Sequence, residues 1–129
     1  MVEHSFRLLP ASGFGKNVVD LDLSAATEGN IATLKSAFSE AGVLFFHEQN
    51  LSPEQHIEFA QRWGEINVNR FFAAVDKYPQ IAEVNKEPDQ QINIGGGWHT
   101  DHSYDEIPAL GSMLLAKELP PVGGDTLFA

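Results

Sequence analysis

The chain has 129 residues, 43% of them hydrophobic, with 18 acidic against 8 basic side chains and a net charge of −10. That length allows one domain at most, and the apolar content is enough for a core, which excludes intrinsic disorder. The acidity argues against nucleic acid and anionic membrane surfaces, which reward Lys and Arg clusters; having no cysteine excludes disulfides, thiolate metal sites and a cysteine nucleophile.

From the N-terminus, Phe6 and Leu8, then Val18, Val19, Leu21 and Leu23, predict two short strands separated by a Gly13-Phe14-Gly15 turn. Thr27 is a suitable N-cap for a helix running to about Ala41, with Ile31, Leu34, Phe38 and Ala41 on one apolar stripe. Gly42 ends it, and residues 43–46 are expected to be a short, fully buried strand. Ser52, Pro53 and Gln55 form the clearest helix start in the chain: a cap, a proline in the first turn and a capping-box partner. His56, Phe59, Ala60 and Trp63 then share a face, and Gly64 is the expected stop. Residues 66–69 and 81–84 are further strand candidates.

Residues 86–97 break every pattern with Pro, Asp, Gln, Asn and three consecutive glycines, so a long loop is expected there. Apolar residues 113–116 and 126–128 follow, separated by Pro120-Pro121. No internal repeat is visible. Helices come early and strands dominate later, which indicates an α+β fold. Met1 is read as a true start and Ala129 as a truncation within a strand pattern, so residues 1–129 are expected to form a single, incomplete domain. No basic stretch followed by an apolar run marks a signal peptide. The longest apolar run, residues 41–46, is too short to span a bilayer. A cytoplasmic location is the default expectation.

The chemistry concentrates in Trp98-His99-Thr100-Asp101. On an extended segment alternate side chains share a face, so His99 and Asp101 are expected to project together while Trp98, Thr100 and His102 face the other way. An imidazole and a carboxylate on one side can reach one ion, and without cysteine any metal has to be held by His, Asp or Glu, a set suited to Fe(II), Mn(II) or Zn(II). Two histidines and one carboxylate on one face of Fe(II) constitute the facial triad of non-haem iron oxygenases, of which this pair supplies two members. The spacing alone is a weak signal, equally consistent with a surface histidine beside a solvated aspartate. The Gly-rich loop leading into the pair strengthens it, because an open metal site needs access. His56 shares a helical face with Phe59 and Trp63 and reads as a core-edge residue.

A wider pattern carries more weight. Trp98-His99-Thr100-Asp101, Pro108-Ala109, Gly111-Ser112-Met113-Leu114-Leu115-Ala116-Lys117-Glu118 and Leu119-Pro120-Pro121-Val122-Gly123-Gly124-Asp125-Thr126-Leu127-Phe128-Ala129 together resemble the taurine dioxygenase (TauD/TfdA) family. Residues 42–49 and 59–65 resemble its N-terminal region. The resemblance implies an Fe(II)- and 2-oxoglutarate-dependent dioxygenase on a double-stranded β-helix (jelly roll) with flanking helices. It implies that His99 and Asp101 are the two proximal iron ligands and that Thr126 hydrogen-bonds a carboxylate of 2-oxoglutarate. A distal histidine and a 2-oxoglutarate-binding arginine are expected beyond Ala129, since His4, His47, His56 and His102 lie in the wrong sequence context. The 129-residue chain is accordingly expected to bind iron weakly, to show no turnover alone and to self-associate through unpaired sheet edges.

The implied reaction joins O2, 2-oxoglutarate and a small, anionic organic substrate, giving the hydroxylated product, succinate and CO2. In ungapped register back from Trp98, the positions that resemble the family's sulfonate-contacting residues hold Asn69, Phe72 and Gly95, without the polar His and Tyr side chains of taurine dioxygenase. A substrate other than taurine is therefore expected. Asn69 is able to donate a hydrogen bond to an anion and Phe72 makes a pocket more apolar, although packing accounts for both equally well. Two rival readings stand beside the oxygenase: a non-catalytic β-helix binding module, and a cupin-like zinc or manganese protein. The partners expected are a small molecule and O2, without nucleic acid or membrane, and with a homo-oligomer as an option.

Overall fold

Two antiparallel strands open the computed structural model, in which residues 5–129 are described and residues 1–4, including Met1 and His4, lie outside the description. Strand β1 (Arg7–Pro10) pairs with β2 (Lys16–Val19), Leu8 opposite Val18 and Pro10 opposite Lys16. The expected turn lies between them, with Gly13 and Gly15 both at positive φ. The second strand was expected to reach Leu23 but stops at Val19. Asp20 takes φ +65°, which breaks the extended run, and the Asp22 carboxylate then accepts from the Ser24 backbone N–H to cap a 3-10 turn, Leu23–Ala25. Leu21 and Leu23 are buried all the same.

Helix α1 (Glu28–Ala41) forms where its stripe predicts. The Thr27 side chain accepts from the Asn30 backbone N–H while the Asn30 side chain accepts from that of Thr27, a complete capping box. Gly42 closes the helix at φ +74° in the left-handed region, where only glycine sits without cost. The innermost side chains are Ile31, Leu34 and Ala37; Phe38 and Ala41 are half-buried. The crossover through α1 returns the chain to β3 (Leu44–Phe46), which pairs in parallel with β2 to give the order β1-β2-β3. Contrary to expectation β3 is not fully buried: Phe45 is exposed, because β3 is an edge strand covered on one face only.

Helix α2 (Pro53–Gln61) begins as expected, with Ser52 and Gln55 in a reciprocal capping box and Pro53 in the first turn. It ends at Gln61, before Gly64, because the Arg62 and Trp63 N–H groups turn to Phe59 and Ala60 in tighter i−3 bonds. The Arg62 guanidinium crosses to α1 and donates to Ala26 O and Glu28 Oε1, both at 2.5 Å. Phe38, Trp63, Phe59 and Phe46 form, in that order, an edge-to-face chain with centroid spacings of 5.6, 6.2 and 6.3 Å, joining α1, α2 and β3. Burying Phe59 to 3% exposure contributes about 1.5–3 kcal/mol. His56 is half-buried at the core edge.

Residues 66–69 do not form the expected strand. The Asn69 carboxamide oxygen accepts from the Phe71 and Phe72 backbone N–H groups at 2.8 and 3.0 Å, and this local turn replaces a ladder. A hairpin follows, β4 (Ala74–Val75) with β5 (Tyr78–Ala82), so the strand expected at 81–84 begins earlier and ends earlier. The Tyr78 hydroxyl donates to Glu54 and fastens β5 to α2.

The chain divides into two compact units, one ending at Ile94 and the other comprising Gly95–Ala129. The second unit contains no helix or strand. Residues 113–116 and 126–128, expected as strands, are irregular and mostly exposed, and no described strand offers them a ladder. Small sheets with two helices make the described chain α+β. No described helix is long and apolar enough to cross a membrane.

Candidate metal centre

His99 and Asp101 both belong to the Gly95–Ala129 unit, and the backbone that carries them is not a strand. The side-chain alternation expected of an extended segment therefore does not account for their placement. Trp98 is 75% exposed and anchors no core. The chain instead leaves Gly95 at φ +66° and bends after Asp101, where His102 takes φ +49° and the Asp105 N–H returns to His102 O. Contacts hold this turn: Thr100 Oγ1 and Ser103 Oγ lie 2.5 Å apart, and His102 Nδ1 meets the Asp105 carboxylate at 3.2 Å. His102 and Asp105 are well shielded, and the His102 ring lies against Tyr104.

In this setting His99 Nε2 and Asp101 Oδ1 stand 3.3 Å apart. Two ligand atoms each about 2.1 Å from one ion, at a right angle, lie about 3.0 Å from each other, so the pair has the separation of neighbouring ligands on a shared cation. The far side of the imidazole is also engaged, with His99 Nδ1 2.7 Å from Gly97 O. A carbonyl only accepts, so Nδ1 carries the proton, and in the neutral ring Nε2 presents its lone pair. That lone pair faces a carboxylate oxygen. Two acceptors at such range call for a cation between them, either a second ring proton or a metal. Nitrogen plus carboxylate oxygen is the donor chemistry Fe(II) accepts, and a backbone acceptor behind the histidine is the usual outer support of a metal ligand.

The side chains of His99 and Asp101 are 55% and 60% exposed, so as a bare ion pair they contribute at most about 1 kcal/mol. Stability gives little reason for the arrangement, and the exposure leaves the pair open to ligands. Ser112 Oγ approaches the other Asp101 oxygen at 3.5 Å, a long hydrogen bond. Among the described residues no group of three His, Cys, Asp or Glu side chains is placed to hold a metal.

The remaining expected site residues lie elsewhere. Thr126 is exposed on irregular backbone after Gly123 and Gly124 and makes no hydrogen bond to His99 or Asp101. Asn69 and Phe72 belong to the other unit, where the Asn69 oxygen is committed to its own turn and Phe72 is 37% exposed. Gly95 lies beside the metal-ligand candidate itself: a Cβ built on it would meet His99 Cε1 at 3.0 Å. The roles of Gly97 O, Ser112 and Gly95 around the pair were not read from the sequence. The only signal for them was the run of three glycines immediately upstream.

Residues 5–129 match the family described as taurine catabolism dioxygenase TauD, TfdA family, and the chain belongs to it. Among curated relatives, the (S)-phenoxypropionate/alpha-ketoglutarate-dioxygenase of Sphingobium herbicidovorans is 30% identical over 119 residues, which cover 90% of this chain and 42% of that protein. The alpha-ketoglutarate-dependent sulfonate dioxygenase of Saccharomyces cerevisiae is 29% identical, over 95% of this chain and 32% of that protein. A crystal structure of a taurine dioxygenase from Burkholderia xenovorans superposes with a TM-score of 0.52 at 31% identity, over 58% of this chain and 28% of that one. The chain thus spans less than half the length of these relatives.

Proposed function

We propose that this chain contributes the His99 and Asp101 iron ligands of a 2-oxoglutarate-dependent dioxygenase built on a double-stranded β-helix, and that residues 1–129 are part of one such domain. The observation that carries the reading is the 3.3 Å juxtaposition of His99 Nε2 and Asp101 Oδ1 inside a family match covering residues 5–129. Fe(II), when bound, supplies the oxygen-activating chemistry, and 2-oxoglutarate is the cosubstrate that leaves as succinate and CO2. His99 would offer its Nε2 lone pair to the metal, with the Gly97 hydrogen bond at Nδ1 orienting the ring. Asp101 adds the negative charge that retains a divalent cation. Thr126 would donate a hydrogen bond from its hydroxyl to a carboxylate of 2-oxoglutarate.

The substrate is a small organic anion hydroxylated at carbon. Two relatives are named for (S)-phenoxypropionate and for sulfonates, which share an anionic head on an organic body. Phe72 and side-chain-free Gly95, at the positions that resemble sulfonate contacts, favour an aromatic or bulky body over taurine. With two of three protein ligands, the 129-residue chain binds divalent metal weakly and turns nothing over alone. O2 and the small molecule are its partners, and the location is cytoplasmic.

The test is to compare Fe(II)-dependent succinate formation in a longer protein carrying this chain with that of its His99→Ala and Asp101→Ala variants. Each substitution is expected to abolish turnover; full activity in either rejects the metal assignment. Succinate formation with Zn(II) or Mn(II) but not Fe(II) would favour the cupin-like alternative.

A further inference from the structure

The structure assigns Gly95 a positioning role: its missing Cβ leaves the space in which the His99 ring lies, so that Nδ1 bonds Gly97 O and Nε2 faces Asp101. This inference deepens the metal reading above and rests on it for its function, though not for its geometry.

Three observations converge. A Cβ at position 95 would sit 3.0 Å from His99 Cε1, tighter than ordinary van der Waals contact, and 3.6 Å from Nε2, an ordinary one. Two contacts mark where that ring lies: Nδ1 is 2.7 Å from Gly97 O on one side and Nε2 is 3.3 Å from Asp101 on the other. Gly95 also holds φ +66°, which L side chains rarely adopt. A movement that relieves the methyl shifts the ring by a few tenths of an ångström, weakening the Gly97 bond that selects the tautomer or turning Nε2 from the carboxylate. In this role Gly95 acts through His99, separately from any contact with substrate. It is one of two backbone supports, sterically permissive where Gly97 O is directional, that together orient a single metal-binding nitrogen.

The test uses the 129-residue chain labelled with nitrogen-15. Long-range proton–nitrogen correlation spectra read the tautomer of each histidine, with His99→Gln identifying the His99 signals. Wild type is expected to show His99 protonated at Nδ1. Gly95→Ala and Gly95→Asn are both expected to shift it toward a mixture of tautomers. Asn tolerates positive φ, so the second variant removes backbone strain while keeping the Cβ. A His99 signal unchanged in both variants overturns the assignment, and so does a shift in Gly95→Ala alone, which would locate the effect in the backbone. Co(II) titrated into the same samples is expected to bind 10- to 100-fold more weakly in the variants, about the loss typical of outer-sphere supports. If wild type binds no Co(II) through His99 and Asp101 while the tautomer still shifts, the metal reading fails and the placement of the ring by Gly95 stands.

Discussion

At the scale of single residues the first unit depends on a glutamine that no sequence pattern singled out. Gln49 accepts from the Leu23 N–H at 3.0 Å and donates to Leu21 O and His47 O at 2.8 and 2.9 Å, tying the segment after β2 to the end of β3. Removing it strands partly buried backbone groups, at about 1–3 kcal/mol. Gln49→Ala should therefore lower the unfolding free energy measured in urea by that amount, whereas its neighbour Glu48, exposed, should tolerate alanine; equal effects at both positions would remove the special role of Gln49. The same contrast between pattern and contact applies at the candidate centre. That His99 and Asp101 come together was legible as a His-x-Asp pair, although the turn that brings them within 3.3 Å is not the strand the spacing suggested. Gly97 was not legible as a partner, because a backbone carbonyl carries no residue identity.

Elements were legible where local chemistry specifies them. Both helices start at their predicted caps, since a Thr or Ser hydroxyl three residues ahead of an amide partner satisfies otherwise orphaned N–H groups whatever the tertiary fold does. Ser52→Ala should accordingly cost about 1 kcal/mol in thermal or urea unfolding. The failures came where a competing local bond won, as at Asn69, or where an apolar run had no ladder to join, as at 113–116. Helix α2 and strand β5 share a contact with a pH signature at both ends of the scale. The Tyr78 hydrogen bond, with smaller help from backbone and Ser52, holds the Glu54 carboxyl below its ordinary 4.5, and the same bond raises Tyr78 above 10.0. Because the folded pKa of Glu54 is lowered, its contribution is present above 4.5 and is lost as pH falls through the folded value. The raised Tyr78 contributes below 10.0 and loses its effect as pH rises through its own folded value. Stability profiles by denaturant titration should lose part of both limbs in Tyr78→Phe but only the acid-side part in a comparison of Glu40→Gln, whose carboxyl is lowered by Lys16 instead. Identical profiles for wild type and Tyr78→Phe would mean that the contact does not persist in solution.

Across the whole chain, apolar surface is unevenly distributed. In the first unit Val18, Ile31, Leu34, Leu51 and Phe59 are all at least 96% buried. In the Gly95–Ala129 unit Trp98, Ile107, Leu110, Leu114, Leu119, Val122 and Leu127 are each at least 69% exposed. Hydrophobic content was read from the sequence as core, and the content is real, but burial requires a facing layer, which composition cannot specify. Apolar side chains exposed in this number favour association, which covers them. The expected outcome is that the 129-residue chain binds a hydrophobic-surface dye and self-associates as its concentration rises in sedimentation velocity, despite a net charge of −10 that opposes aggregation. Placing lysine at Leu114 and Val122 should reduce both signals, because it breaks the apolar surface, although it also lowers the net negative charge and with it the general repulsion between chains. A purely electrostatic origin predicts the opposite, stronger association in the lysine variants and in none of their glutamate counterparts. Native-state hydrogen exchange offers the independent check: amides of α1 around Leu34 should be protected through their helical bonds, while those of residues 113–128, with no ladder or helix to hold them, should exchange near the rate of unstructured chain. A monomer that leaves the dye dark and protects residues 113–128 would show that this segment finds a packed arrangement on its own.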